Sequence, residues 1–324
     1  MKKDIRSLIE GAIKGELLFD EPLSRHTSLR VGGAADCLAT PTDLSDLRAL
    51  VSLLVEHGIP YMVLGGGYNL LVKDGGFRGV VISLLHFRRL ERLPGNRLLV
   101  EAGILIRQLL DFCREEGLTG LEFLSWIPGT VGGALSMNAG AHGEAILERL
   151  KSLTTIKGGT GTGTVTGTVT LRRRGELSFG YRYLAIDPGE IVLSATFSLS
   201  GGSGAQIERR IEEFLAHRRS AQQVGFPSAG SFFRNPPGNA AWRLIDAAGL
   251  RGKRIGGAQV SEVHANFLVN RGGATAADFL ALARFVKERV KANSGIELEE
   301  EVRIVGEDGA GSEDQGSVKY GDLQ

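Results

Sequence analysis

A chain of 324 residues is too long for one ordinary core, and at about 150 residues per domain it calls for two or three. Its 38 basic and 37 acidic residues leave a formal net charge of +1, so no global field draws it to nucleic acid or anionic lipid, and 42% hydrophobic residues exclude wholesale disorder. Glycine is the outlier at 46 residues, about twice the usual ~7% share, which demands many turns and close backbone approaches.

In chain order, a first helix is expected from about Asp4 to Lys14, with Ile5, Leu8, Ile9 and Ile13 on one face, as a peripheral helix or lid. Arg6, Glu10, Lys14 and Glu16 interrupt its apolar residues, so it makes no signal-peptide core. A second helix is expected after Thr42 as N-cap, with Asp43 and Asp46 at its positive end, a stripe of Leu44, Leu47, Val51 and Leu54, and Gly58 as stop. A strand at 60–64 feeds Gly65-Gly66-Gly67, and a second apolar run at 80–83 follows the turn Asp74-Gly75-Gly76, giving a βαβ-type unit that ends near Leu85.

A second segment reads as a strand at 97–102, a helix at 104–116 closed by Gly117, a glycine-rich block to Gly143, and strands around Leu153, Val169 and 191–199. The block from Phe123 to Gly143 holds no Asp, Glu, Lys or Arg, but Pro128, its five glycines and Asn138 make it a buried loop system rather than a membrane helix. The Gly, Thr and Val tract 158–170 reads as an exposed hairpin, since no helix follows to make it a phosphate loop. Gly201-Gly202-Ser203-Gly204 marks a boundary. Helices at 206–219, 240–248 and 276–292, the last between Thr275 and Gly295, and a strand at 298–305 follow. From Glu307 to Gln324 the composition predicts a disordered acidic tail. The expected division is 1–85, 86–204, 205–306 with its last strand able to return to the first unit, and the tail 307–324.

Cys37 and Cys113 lie far apart in no Cys/His cluster, so a disulfide framework and a zinc site are not indicated, no metal is expected, and a reducing cytoplasm is the expected home. Three blocks carry chemistry. Gly65, Gly66 and Gly67, followed by Tyr68, Asn69 and Leu70, place backbone amides after a strand. They form neither a GxGxxG nor a Walker loop, and an anion cradle and a plain tight turn stand equal on these residues. The run Ile127 to Gly143 is small and uncharged, which suits either a large flat anionic cofactor or a close helix–sheet crossing. Ser231, between Gly230 and Phe232-Phe233-Arg234-Asn235, lacks a GxSxG elbow; it is a proton donor in a dry pocket or a surface turn residue. Arg182 beside Tyr181 can fork a carboxylate or form a surface ion pair, Glu299 and Glu301 share a face with Arg303 at the last strand, and His264 with Asn266 can line a polar pocket.

Taken in order, Thr27 to Gly33, Leu64 to Val72, Ile127 to Gly143, Tyr181-Arg182, Gly230 to Pro236, Leu244 to Gly252, His264 to Phe267 and Leu298 to Ile304 closely resemble the UDP-N-acetylenolpyruvoylglucosamine reductase (MurB) family, over about 21–306. The resemblance implies an α+β chain with the FAD-binding fold of the vanillyl-alcohol oxidase (PCMH) type in two subdomains, plus a C-terminal α+β substrate domain. It implies FAD held without a covalent link, since Tyr68 stands where covalent relatives carry a histidine, and NADPH as co-substrate. Gly65, Gly66, Gly67, Tyr68, Asn69 and Leu70 would then surround the pyrophosphate, and Ile127, Pro128, Gly129, Val131, Gly132, Gly133, Asn138 and Gly143 the flavin. Arg182 and Glu301 would polarise the enolpyruvyl carboxylate and Ser231 would be the general acid. Tyr181, Asn235 and Arg219 (or Arg218) would contact UDP-N-acetylglucosamine enolpyruvate. The gap between Arg182 and the 191–199 strand has no room for a long tyrosine-bearing loop, so the chain resembles the short-form, type II class; a monomer or weak oligomer with no nucleic-acid partner and no membrane insertion is expected. Two other readings are a sugar or alcohol oxidase of the same fold and a flavin- or nucleotide-sugar-binding module without turnover.

Overall fold

A computed structural model describes residues 3–158, 167–222 and 224–309, the side chains of 3–4 and 217–222 excepted. The first helix, α1 (Lys3–Ala12), packs on α2 (Leu44–Glu56) and buries Ile9 completely with Leu47, Leu50 and Leu54, so it belongs to the core rather than to a lid. The N-cap of α2 is Asp43, whose carboxylate accepts the Asp46 N–H at 2.9 Å. Thr42, expected in that role, instead donates its N–H and hydroxyl to Asp46.

Asp46 is itself a buried staple that accepts the N–H groups of Lys14 (2.7 Å), Gly15 (2.9 Å) and Thr42 (2.9 Å). Burial alone would raise its pKa, but these hydrogen bonds outweigh burial and hold the carboxyl below the usual aspartate value. A depressed folded pKa contributes stability at neutral pH that is lost as pH falls through it. We therefore expect Asp46→Asn to cost about 2 kcal/mol at pH 7, with the gap to wild type closing below about pH 4; thermal melts across pH test this.

The first sheet runs Glu16–Pro22, Ala34–Thr40, Phe77–Ser83, Tyr61–Leu64, antiparallel in its first pair and parallel after it. A second, antiparallel sheet orders Thr168–Arg173, Leu150–Lys157, Glu190–Ser198, Arg97–Glu101 and Leu90–Leu93. Within the hairpin predicted for 158–170, residues 159–166 lie outside the described residues. Helix α3 (Ile106–Glu115) covers this sheet. The glycine-rich block is not all loop. It holds a 3-10 turn (Glu122–Trp126) and a six-residue helix, α4 (Val131–Ser136), because Thr130 Oγ1 caps Gly133 N–H and Val131 and Leu135 can be buried. Helix α5 (Gly204–Gln222) packs on α3 and the Glu122–Trp126 turn, placing Ile211 and Phe214 against the second core.

A third sheet, Ser228–Ser231, Phe267–Asn270, Ala258–Val260, Arg254–Ile255, carries α6 (Ala241–Ala247) and α7 (Ala276–Ser294). Its core takes in Leu29, Val31 and Leu71 from the first segment. Asp74, in the turn after Leu70–Val72, accepts the N–H groups of Ala276 and Ala277 at 2.8 and 2.9 Å, so the first unit caps a helix of the third. The final strand is shorter than expected. Only Arg303–Val305 pairs, parallel to Leu70–Val72, while Glu300 bridges to Phe233, because 299–302 bond to the 232–234 segment instead. The first residues of the expected tail are ordered: Glu307 N–H donates to Gly76 O at 2.9 Å and Asp308 pairs with Lys73, and residues 310–324 lie outside the described residues. Both cysteines are buried, which pushes their thiols up to about 12 and leaves no thiolate for chemistry. Among the described residues no helix is long and apolar enough to cross a membrane.

Candidate active site

The glycine turn, the arginine hairpin and the Ser231 segment, far apart in sequence, meet at one residue. Glu301 binds Arg182 Nε through Oε1 at 2.8 Å, its N–H donates to Phe232 O at 2.8 Å, and its carbonyl accepts the Asn69 carboxamide at 3.0 Å. One acidic residue thus ties the glycine turn, the arginine hairpin and the Ser231 segment together.

Arg182 sits at the turn between the two-residue strands Phe179–Gly180 and Tyr183–Leu184, with φ of 55°, a conformation most side chains avoid. The hairpin is held there by Asn138, whose Nδ2 donates to Gly180 O at 2.7 Å while its Oδ1 accepts Leu147 N–H. Arg182 Nη2 donates to Gly140 O at 3.0 Å, and its guanidinium lies 5.0 Å from the ring centre of the exposed Tyr181. With Nε and Nη2 so engaged, Nη1 has no hydrogen-bond partner among the described residues and is available to a carboxylate. The carboxamide of Asn138, a residue expected at a flavin, is bonded on both sides to protein backbone.

Ser231 ends the strand Ser228–Ser231 opposite Phe267, just after Gly230 in the left-handed region (φ 76°) and beyond a register shift. Its hydroxyl bonds to no described residue. Phe232 and Phe233 behind it are fully buried anchors. Asn235 uses Oδ1 to accept Ala241 N–H at 3.0 Å, which leaves its amide donors for a ligand. The Arg219 side chain lies outside the described residues. Two arginines beside the site, Arg234 and the exposed Arg303, have no ion-pair partner among the described residues.

The glycine blocks also touch each other. A Cβ on Gly65 would lie 2.7 Å from Thr130 Oγ1, one on Gly66 2.9 Å from Gly129 Cα, and one on Gly67, at φ 66°, 2.0 Å from His26 O. The N–H groups of Gly65, Gly66, Gly67, Tyr68 and Asn69 have no acceptor among the described residues, so five consecutive donors stand ready for an anion. In the second block Val131, Gly132 and Gly133 have their N–H groups bonded to Ile104 O, Ala102 O and Thr130 Oγ1, whereas those of Gly129 and Thr130 are open, Gly129 at φ 119°. Ile127 lies partly buried beside Pro128, Leu70 is half-buried in its strand, and Gly143, at φ 81°, has open space where a side chain would go. A row of unobstructed amides beside a small, uncharged loop fits the diphosphate and ring of a flavin dinucleotide.

Comparison with known proteins agrees with this geometry. A family model described as FAD binding domain matches residues 35–167, and one described as UDP-N-acetylenolpyruvoylglucosamine reductase, C-terminal domain, matches 222–305. The UDP-N-acetylenolpyruvoylglucosamine reductase of Geotalea uraniireducens (strain Rf4) is 60% identical over 308 residues, covering 95% of this chain and 100% of its own. That of Geobacter sulfurreducens is 58% identical over 310 residues with the same coverage. The crystal structure of UDP-N-acetylenolpyruvylglucosamine reductase from Thermus caldophilus superposes with a TM-score of 0.75 at 35% identity, covering 90% of this chain and 99% of that one. The α+β architecture accordingly joins an FAD-binding domain to the reductase C-terminal domain, the cofactor is FAD, and the chain is an oxidoreductase of peptidoglycan synthesis. With identity this high over nearly the whole chain and both domain matches in their expected places, the chain belongs to the UDP-N-acetylenolpyruvoylglucosamine reductase family.

Proposed function

We propose that the chain reduces UDP-N-acetylglucosamine enolpyruvate to UDP-N-acetylmuramate at the expense of NADPH, with Arg182, Glu301 and Ser231 as the reacting side chains. The convergence of the glycine turn, the arginine hairpin and the Ser231 segment on Glu301 carries this reading. Held by Gly65 to Leu70 and Ile127 to Gly143, FAD would supply the hydride chemistry that links NADPH to the vinyl methylene carbon.

The chain's own residues handle charge and proton. Arg182 offers Nη1 to the enolpyruvyl carboxylate, where negative charge grows as the adjacent carbon gains enolate character; Glu301 fixes the guanidinium through Nε and is the second acid beside that charge. Ser231 gives its hydroxyl proton to the carbon next to the carboxylate and is replenished from solvent. Tyr181, the Asn235 amide and Arg219 are assigned to the sugar nucleotide. Gly65 to Leu70 and Ile127 to Gly143 are assigned to FAD, with Asn138 acting through the Arg182 hairpin. The third unit, 205–306, completes the substrate side against 1–85 and 86–204.

NADPH consumption that depends on the enolpyruvyl substrate and yields UDP-N-acetylmuramate by mass tests the reading. Consumption that depends on oxygen and not on that substrate would favour an oxidase instead. The glycine contact gives an independent check. Gly66→Ala inserts a methyl against Gly129 Cα and the Tyr68 ring, an overpacking of about 1–3 kcal/mol, so we expect FAD affinity to fall about tenfold or more in a fluorescence titration. Wild-type affinity in that variant would remove the glycine turn from the cofactor site.

A further inference from the structure

Asn266 was read as lining a polar pocket, yet it is 2% exposed and its carboxamide faces backbone. Oδ1 accepts Phe233 N–H at 3.0 Å, Nδ2 donates to Phe233 O at 2.8 Å, and its own carbonyl accepts Phe232 N–H at 2.7 Å. One residue therefore grips each of the three peptide units between Ser231 and Arg234. It does so where the sheet stops doing it, because Ser231 opposite Phe267 is the last pair of that ladder and the register has already slipped between Ser228 and Ser231. The two bonds to Phe233 replace the ladder bonds that a continuing strand would have supplied.

The gripped segment is also the link to Glu301, since Phe232 O accepts the N–H groups of Glu301 and Val302. The Phe232 and Phe233 rings hold the segment in the core, but buried rings fix its depth more firmly than the direction its peptides face. Proton transfer is sensitive to that direction: a misplacement near 1 Å can cost about a hundredfold.

We propose that Asn266 is a positioning residue for the proton donor: its amide sets the backbone after Ser231 so that Oγ meets the carbon to be protonated. This rests on the reading of Ser231 as the donor. The O–H of Ser231 breaks as the new C–H bond forms, and the serine regains a proton from solvent, so Asn266 touches neither substrate nor flavin.

The test follows the two half-reactions of the FAD-loaded enzyme by stopped flow in water and in deuterium oxide, for Asn266→Ala, Asn266→Asp and Ser231→Ala. Asn266→Asp keeps the shape and the acceptor but sets an oxygen against Phe233 O. For both Asn266 variants the expected result is flavin reduction by NADPH at the wild-type rate, reoxidation by the enolpyruvyl substrate slowed about tenfold to a hundredfold, and a larger solvent isotope effect on that second step. Reduction and reoxidation falling together, failure of both Asn266 variants to fold, or wild-type reoxidation with an unchanged isotope effect would each overturn the positioning role. Ser231→Ala separates the levels. If it reoxidises at the wild-type rate, the donor assignment itself fails, and if it is slow while both Asn266 variants match wild type, only the positioning role fails.

Discussion

Ser231→Ala is expected to slow reoxidation of the reduced flavin by UDP-N-acetylglucosamine enolpyruvate by about 10²- to 10⁴-fold, the usual contribution of a positioned general acid, while reduction by NADPH keeps its rate. The prediction follows from where the serine stands. Its hydroxyl is uncommitted among the described residues, its backbone is held by the pairing with Phe267, and the Phe232 carbonyl that follows is bonded to Glu301. The small side chain forms no hydrogen bond with a described residue, so its loss leaves the fold and the FAD site alone. Rapid-reaction traces of the two half-reactions decide the point, and equal losses in both would reassign Ser231 to the scaffold.

Arg182→Ala is expected to lower the same reoxidation rate by about 10²- to 10³-fold, as when one preorganised donor to a developing charge is removed. Arg182→Lys should recover little of it. The guanidinium reaches Glu301 through Nε and Gly140 through Nη2 while leaving Nη1 outward, and a single ammonium cannot meet three directions at once. Reduction by NADPH and the flavin spectrum should stay near wild type in both variants. Reoxidation in Arg182→Lys within a few-fold of wild type would show that a point charge suffices and that the fork has no part in the chemistry.

How much of this was legible in the sequence depends on the range over which each feature is fixed. The glycine turn after 60–64, the α7 cap at Thr275 and the stop at Gly295 are set by residues within one turn of the chain, and they stand where periodicity and cap chemistry put them. Local ambiguity shifted the α2 cap from Thr42 to Asp43, since both can cap and only Asp43 lies in register with Asp46 N–H. The six-residue α4 was hidden because its glycines argue against a helix, and it exists through the Thr130 cap and the burial of Val131 and Leu135.

The site was legible as motifs and not as an arrangement. Nothing in local spacing shows that Asn69 bonds to the Glu301 carbonyl, that the last strand is shortened because 299–302 serve the 232–234 segment, or that the Asn138 and Asn266 carboxamides bond to backbone. Those are contacts between residues tens to hundreds of positions apart, made by polar atoms whose partners depend on the completed fold. The signal that would have found the two asparagines is their company: each lies inside an apolar or small-residue run next to a block already assigned to chemistry, where a buried amide has to satisfy something.

The measurement that tests the central claim most directly is an anaerobic titration of the purified, FAD-loaded protein, first with NADPH and then with UDP-N-acetylglucosamine enolpyruvate, followed by visible absorbance. Flavin bands that bleach with NADPH, stay bleached without further additions and return on adding the enolpyruvyl substrate are the predicted result. A protein that takes up no flavin when FAD is supplied, or whose reduced flavin is indifferent to that substrate, would contradict the account.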